Sequence, residues 1–265
     1  MDEKMADTSG EYTEEHLICH AIVWGEGWMS PGGDREVASV VEGMDLSGRT
    51  ILDIGSGLGG PSVALAANHD AGKIVSIDVQ AEQAERSRQL ATKRGVSDRI
   101  TYRIVEPGPF PFEDASFDVV FSMGVFLQIP DKPSLFAEIF RVLRPGGTLA
   151  ANDWLRGDDG PLSAEMVTFL AGGGLTFNWA TADETRGALE QAGFADIVVR
   201  DHQQWFLEIL RADIERMETG AVRDRLIAAF DEAVAERWLS NWRQIEVMAD
   251  RGEICLVQLR ASKPT

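Results

Sequence analysis

Residues 50–60 read TILDIGSGLGG, an apolar, β-branched run followed by a cluster of glycines. A short apolar run that ends at glycine is typical of a buried strand. Glycines directly after such a strand let the backbone approach a ligand closely and adopt conformations that a Cβ atom forbids. This stretch therefore predicts a strand followed by a ligand-binding turn.

Apolar runs and amphipathic stretches alternate along the rest of the chain. Strand-like runs occupy residues 74–77, 100–105, 119–121, 148–151, 197–200 and 254–259. Helical spacing marks residues 81–94 and 133–143, and the sequence RPGG at 144–147 is expected to end the second helix and turn into a strand. Strands that alternate with helices predict an α/β fold, a doubly wound and mostly parallel sheet of seven strands.

The charge balance disfavours several kinds of partner. The chain has 43 acidic and 25 basic residues, a formal net charge of −18. Such a surface repels nucleic-acid phosphates and anionic lipid headgroups, so we expect neither nucleic-acid nor membrane partners. The N-terminus has no signal-peptide pattern and no apolar run reaches bilayer length, which predicts a cytoplasmic protein. Cys19 and Cys255 suggest neither a disulfide nor a metal site.

The glycine turn is compatible with two kinds of ligand. Gly55, Gly57 and Gly60 satisfy the GxGxxG pattern of dinucleotide-binding proteins. Asp53, however, puts a carboxylate just before the turn, where it repels a pyrophosphate and attracts an ammonium group. Asp78 ends the second predicted strand, where a carboxylate can bind both hydroxyls of a ribose. Asp53 therefore favours an amino-acid nucleoside over a dinucleotide.

Together with FDVV at residues 117–120 and LRPGGTL at 143–149, the turn resembles the motifs of class I S-adenosylmethionine-dependent methyltransferases. The resemblance implies a Rossmann-like fold with S-adenosylmethionine as cofactor. It also implies one domain over residues 1–265. In this domain, the segments before and after the cofactor-binding core surround the acceptor. These parts are an N-terminal helical lid (1–44), the cofactor-binding core (45–155), an acceptor-side segment and strand (156–203), a helical cap (204–250) and the last strand (251–265).

The same resemblance assigns residues to the cofactor. Asp53, Gly55 and Gly57 would hold the methionine part, and Asp78 would bind the ribose. Glu106 stands where the family often has an acidic residue that contacts the adenine amine. The other positions implied to line the cofactor are Ser30, Val79, Pro107 and Met123.

A closer resemblance is carried by EYTEE at residues 11–15 and WGEGWMSPGG at 24–33, which look like the lid of small phosphoethanolamine methyltransferases. The 165–195 region, with AGGG at 171–174, is similar to sugar O-methyltransferases. In the first group a lid tyrosine and a histidine after the fourth strand form a catalytic pair. Tyr12 matches the tyrosine, but the histidine position falls on Gln128, which takes up no proton at neutral pH.

The basic residues needed to bind a phosphate group are also missing from the segment expected to line the acceptor pocket. A phosphorylated amine needs arginine or lysine to hold its dianion. Residues 157–182, which are expected to line the acceptor pocket, contain no basic residue. Phosphoethanolamine is therefore not the expected acceptor, despite the resemblance.

Methyl transfer from a sulfonium requires a base only when the acceptor must lose a proton. The missing histidine therefore favours N-methylation of a small amine, with Tyr12 orienting the acceptor and Gln128 and Asp153 contacting it. Asp153, at the end of the fifth predicted strand, is the candidate base if one is needed. Tryptophan faces attract methylated cations, and four tryptophans are expected to border the acceptor: Trp24, Trp28, Trp154 and Trp179.

Two alternatives stay open at this point. One is S- or O-methylation of a small metabolite in a secondary-metabolite pathway. The other is a catalytically idle protein that binds S-adenosylmethionine. Nothing in the sequence specifies an oligomeric state.

Overall fold

The computed structural model describes residues 12–172 and 177–265. The first eleven residues of the predicted lid and the end of the glycine run at 171–174 therefore lie outside the described residues. Seven strands form one sheet: β1 (Thr50–Ile54), β2 (Lys73–Asp78), β3 (Ile100–Ile104), β4 (Phe117–Met123), β5 (Leu143–Arg156), β6 (Ala195–Asp201) and β7 (Ile254–Ser262). Their spatial order is β3-β2-β1-β4-β5-β7-β6.

The first five strands are parallel, and β7 runs antiparallel to both of its neighbours, β5 and β6. The order reverses between β1 and β4, so the carboxyl ends of these strands flank the crevice in which doubly wound sheets bind ligands. The predicted seven-stranded, mostly parallel sheet is confirmed.

The helices described are α1 (Glu14–Val23), α2 (Gly33–Val40), α3 (Gly60–Asn68), α4 (Ala81–Lys93), α5 (Lys132–Val142), α6 (Ala164–Gly172), α7 (Ala182–Ala192), α8 (Gln203–Glu218), α9 (Ala221–Ala229) and α10 (Glu232–Asp250). A single 3-10 turn, Phe126–Gln128, follows β4. The helical insert predicted before the last strand is thus the three helices α8 to α10. None of the described helices is long and apolar enough to cross a membrane.

Consecutive strand residues supply the two faces of the sheet, because side chains alternate along a strand. Ile51 packs into a cluster with α2, α3 and α4, whereas its neighbour Leu52 packs into a cluster with α5 and α7. A third cluster joins α1 to α8 and α10, through residues such as Cys19, Phe206 and Trp242. The N-terminal helix therefore packs with the cap helices.

One local expectation differs from the structure. Helix α5 ends at Val142 as predicted, but residues 144–147 do not leave the sheet as a separate turn. They form an irregularity within β5, where the register with β4 shifts between the pairs Phe117–Leu143 and Val119–Thr148. The extra residues on β5 are accommodated by Gly146, whose φ is 76°.

Candidate active site

The glycine turn leads from β1 into α3 and is hydrogen-bonded to the end of β2. The backbone N–H groups of Gly55 and Ser56 donate to the carbonyl oxygen of Ile77 at 2.9 and 3.1 Å. The N–H of Gly57 donates to the Asp78 carboxylate at 2.8 Å. Gly55 has a φ of 71°, and a Cβ atom on it would lie 2.3 Å from a methyl carbon of Val125. The turn therefore requires glycine both for its conformation and for the close approach of the loop after β4.

Asp53 is buried just before this turn, with 1% of its surface exposed. The hydroxyl of Ser62 donates to its carboxylate, and that hydroxyl also contacts Ser76. Burial raises the pKa of Asp53 to about 7, against the lowering effect of the Ser62 hydrogen bond, and the nearby charge of Asp78 raises it further. A buried carboxyl group of this kind becomes fully ionised when a cation pairs with it.

The ends of β2 and β3 carry the side chains expected around the nucleoside. Burial raises the pKa of Asp78, while backbone N–H groups that donate to its carboxylate act to lower it. Val79 follows it with 55% of its surface exposed, and Ile104 at the end of β3 is 44% exposed. Exposed apolar side chains at adjacent strand ends offer a surface for a planar base. Glu106 and Pro107 lie exposed directly beyond β3.

A cavity of about 120 Å³ lies between the ends of the sheet, α1 and the cap helices. Met29, Ser30 and Gly124 border it on the side of the glycine turn, and Met123, buried at the end of β4, precedes Gly124. Aromatic rings form most of the remaining wall: Tyr12, His16, His20, Trp24, Trp154, Phe169, Phe177, Phe206, Trp238 and Trp242. Within the described part of the chain, no lysine or arginine lines this cavity.

Tyr12 and Gln128, predicted as a pair, are in contact. The Gln128 amide Nε2 donates to the Tyr12 hydroxyl at 3.1 Å. Burial raises the pKa of Tyr12 to about 12, although the hydrogen bond from Gln128 opposes that shift. The phenol is therefore protonated at neutral pH, and its own O–H remains able to donate to a molecule in the cavity.

His20 and His16 line the same cavity from successive turns of α1. His20 is 7% exposed, its Nδ1 atom has no hydrogen-bond partner, and burial lowers its pKa to about 3. His16 contacts the Thr13 hydroxyl through Nδ1 at 2.7 Å and meets the Trp238 ring edge-on. The sequence analysis assigned neither histidine to the site.

The four tryptophans predicted to border the acceptor divide into two pairs. Trp24 and Trp154 line the cavity. Trp28 packs beside Gly60 at the start of α3, and Trp179 stacks on Phe177. Neither is among the described residues that line the cavity. Two cap residues take their place, Trp238 and Trp242, which lie one helical turn apart on α10. Their spacing was visible in the sequence, but their position depends on how the cap packs.

Asp153 is not among the described residues that line the cavity, although its neighbour Trp154 is. Its carboxylate is 1% exposed and accepts backbone hydrogen bonds from Leu127 and Trp154. Burial raises its pKa to about 7, and the positive charge of Lys132 opposes that shift. In this position Asp153 supports the turn that carries Gln128, and its predicted contact with the acceptor stays a prediction.

The central part of the chain matches a known domain. Residues 52–151 match the family model described as "Methyltransferase domain". This match, the sheet order and the buried carboxylate before the glycine turn identify the central region as a methyltransferase domain of the class I type, for which S-adenosylmethionine is the cofactor.

Individual relatives cover most of the chain. Phosphoethanolamine N-methyltransferase of Triticum aestivum is 28% identical over 245 residues, which are 92% of this chain and 47% of that protein. The 27-O-demethylrifamycin SV methyltransferase of Amycolatopsis mediterranei is 29% identical and covers 82% of this chain and 78% of its own.

A solved structure extends the likeness to three dimensions. Phosphoethanolamine N-methyltransferase 2 of Haemonchus contortus, in complex with phosphomonomethylethanolamine and S-adenosylhomocysteine, superposes with a TM-score of 0.87 at 25% identity. The match covers 96% of this chain and 59% of that one. The chain thus spans about half the length of the phosphoethanolamine methyltransferases that it matches.

Proposed function

We propose that this chain transfers the methyl group of S-adenosylmethionine to the nitrogen of a small amine. The observation that carries the proposal is the hydrogen-bonded pair Tyr12–Gln128 beside an aromatic cavity. This arrangement orients an acceptor but contains no titrating group at position 128. A neutral amine is suited to such a site, because its lone pair attacks without prior loss of a proton.

The residues at the strand ends fit the cofactor. Asp53 would pair with the ammonium group, because it is a buried carboxylate that lacks a cationic partner among the described residues. Gly55 and Gly57 would admit the methionine part beside Ser30 and Met123. The ribose and the adenine would be held by Asp78, Val79, Glu106 and Pro107. When bound, the cofactor supplies an electrophilic methyl group.

The chain's own residues supply position and exclude water. Tyr12 closes one side of the cavity and offers its O–H to the acceptor, while Gln128 fixes the direction of that hydroxyl. His20, with its pKa lowered to about 3, is a weak base and serves better as a neutral hydrogen-bonding group. Asp153 keeps the Leu127–Gln128 backbone in place.

The cap supports an acceptor without phosphate. Two of its arginines face carboxylates at the surface: Arg211 contacts Glu246 at 2.8 Å, and Arg243 contacts Glu218 at 2.8 Å. The cap residue Arg216 pairs with Asp213 and does not line the cavity. A phosphate dianion in the cavity would therefore lose its water without gaining a cationic partner among the described residues. The phosphorylated ligand of the Haemonchus enzyme is accordingly not the proposed acceptor.

The test is S-adenosylhomocysteine release from S-adenosylmethionine with a panel of small primary, secondary and tertiary amines. We expect turnover with at least one amine and a decrease of at least tenfold in Tyr12→Phe, with unchanged cofactor affinity. Tyr102→Phe is the matched control, because the Tyr102 hydroxyl is buried without a hydrogen-bond partner and lies in the core.

Two outcomes would overturn the proposal. The first is turnover only with thiols or hydroxyl compounds. The second is cofactor binding by calorimetry with no methylation of any compound in the panel, which is the behaviour of an idle cofactor-binding protein.

A further inference from the structure

We propose that the acceptor is a tertiary amine without phosphate, and that an aromatic box holds its methylated nitrogen. The box consists of Tyr12, His20, Trp24, Trp238 and Trp242, all of which line the cavity. This inference rests on the proposed function and specifies the substrate class of the same site.

The rings of the box adjoin one another along the cavity wall, at mutual angles from 26° to 70°. Trp24 lies 5.4 Å from Trp242, and Trp242 lies 5.7 Å from Trp238 at 70°. His20 stacks on Trp24 at 4.6 Å, and Tyr12 lies 6.0 Å from His20 at 67°. Rings arranged in this way present faces from several directions. Such cages are the usual means by which proteins recognise quaternary ammonium groups.

Two carboxylates lie at the edges of the box. The indole N–H of Trp24 donates to Asp213 at 2.7 Å, and that of Trp238 donates to Glu15 at 3.0 Å. Arg216 and Arg237 contact these carboxylates but do not line the cavity, whereas Asp213 does. Burial raises the pKa of Asp213, and a cation between the rings would favour its ionised form. The ionised carboxylate in turn attracts the cation.

His20 adds no opposing charge. Burial lowers its pKa to about 3, so the ring is neutral at physiological pH and does not repel a cation. Its Nδ1 atom is buried and lacks a partner, and it is a polar atom on an otherwise apolar wall. A short arm that ends in a hydroxyl group would satisfy this atom in either tautomer, because a hydroxyl both donates and accepts.

The chemistry agrees with a tertiary acceptor. The nitrogen lone pair forms a fourth N–C bond while the S–C bond of the donor breaks and leaves its electron pair on sulfur. The reacting form is the free base, so an amine that is protonated in water loses its proton to the solvent before the step. Positive charge then passes from sulfur to nitrogen, and no proton is released in the step itself. Aromatic faces around the nitrogen stabilise that charge more strongly as it develops, which is the requirement for accelerating the reaction.

The experiment compares three probes that bind the full chain in the presence of S-adenosylhomocysteine, by calorimetry. Choline carries a trimethylammonium group, 3,3-dimethylbutan-1-ol is its uncharged isostere, and phosphocholine adds a phosphate. We expect choline to bind about tenfold more tightly than the isostere and at least tenfold more tightly than phosphocholine. Equal binding of choline and the isostere, or tighter binding of phosphocholine, would overturn the proposal.

Variants locate the effect in the box. Trp242→Leu is expected to abolish the preference for choline over the isostere. Trp205→Leu is expected to retain it, because Trp205 stacks on His202 outside this cavity. A retained preference in Trp242→Leu would contradict the assignment, and the comparison of ligands on the unmodified chain remains decisive if that variant fails to fold.

The two proposals fail separately. If the chain methylates amines but does not discriminate between choline and its isostere, the aromatic box is refuted and the proposed N-methylation is retained. Discrimination between the two ligands without methylation of any amine would refute the proposed function and leave a quaternary ammonium site.

Discussion

The Gln128 side-chain amide donates a hydrogen bond of 3.1 Å to the Tyr12 hydroxyl, across 116 positions of the chain. The contact ties the segment before α1 to the 3-10 turn after β4. Because Gln128 is the donor, the phenolic proton of Tyr12 is left for the acceptor. The pair thereby combines closure of the cavity with orientation of its occupant.

A histidine at position 128 is predicted to give the enzyme a new titration. In Gln128→His, the imidazole takes the place of the amide beside Tyr12 and can accept the phenolic proton only when neutral. We expect turnover to fall as the pH drops through about 6.5, the ordinary pKa of histidine. The measurement is the pH profile of kcat with the best amine from the panel.

Gln128→Ala is the control for that variant. It removes the same hydrogen bond without adding a titrating group, so its profile should keep the shape of the unmodified enzyme at a lower rate. Identical pH profiles of kcat for the histidine and alanine variants would show that the side chain at position 128 does not affect the reaction at the acceptor nitrogen.

Cofactor affinity is predicted to depend on pH through Asp53. Its pKa of about 7 lies above the ordinary value, and an ammonium group pairs with the ionised form. Affinity for S-adenosylhomocysteine should therefore increase about tenfold per pH unit below 7 and level off above it. The stability of the ligand-free chain has the opposite pH dependence. The proton on Asp53 stabilises the folded state, and this contribution to the free energy of unfolding is lost as the pH rises through 7.

The variant Asp53→Asn distinguishes the effect of this carboxyl group on cofactor binding from that of Asp78, whose pKa is also raised. The variant should bind S-adenosylhomocysteine at least tenfold more weakly at pH 7.5, with most of the pH dependence gone. Calorimetry between pH 5.5 and 7.5 gives both quantities. A variant that keeps the full pH dependence would assign it to another group.

The fold was predictable because its signals are local. The runs at 50–54, 74–77 and 254–259 are apolar and bounded by turn residues, and each is a strand of the sheet. The contact between Tyr12 and Gln128 was predicted only because the two positions resemble a known pair. No periodicity relates residues so far apart.

The wall of the cavity was predicted less well, because it depends on the packing of helices against one another. Trp28 is near the glycine turn in sequence but covers Gly60, whereas Trp238 and Trp242 are far away and face the cavity. The ionisation of Asp53 also differs from the expectation. Its raised pKa results from complete burial, which no sequence pattern reveals.

Gly55→Ala is predicted to weaken cofactor binding through a steric conflict rather than through backbone strain. The added Cβ would lie 2.3 Å from a methyl carbon of Val125 and displace the loop after β4. Gly95→Ala is a matched control, since Gly95 has a φ of 70° against 71° for Gly55 but no atom within 4 Å of the new Cβ. We expect at least a tenfold loss of S-adenosylhomocysteine affinity for the first variant and none for the second, and equal effects would refute the steric explanation.

Lys132 is predicted to stabilise the turn that carries Gln128. The residue is 8% exposed, and its ammonium group donates to the carbonyl oxygens of Phe126, Ile129 and Asn178 and lies near the Asp153 carboxylate. Lys132→Met leaves these carbonyl groups without their donor and Asp153 without a nearby cation. Removal of one member of a buried charged network costs about 3 kcal/mol.

Lys93→Met provides the comparison, because Lys93 pairs with Glu26 at the surface, where such contacts contribute less than about 1 kcal/mol. Urea unfolding of both variants measures the difference. If Lys132→Met loses no more stability than Lys93→Met, the turn is held by backbone contacts alone, such as the hydrogen bond of 2.6 Å from the Asn178 N–H to the Leu127 carbonyl oxygen. If it loses about 3 kcal/mol and turnover falls while cofactor affinity is kept, Lys132 positions Gln128 for the reaction.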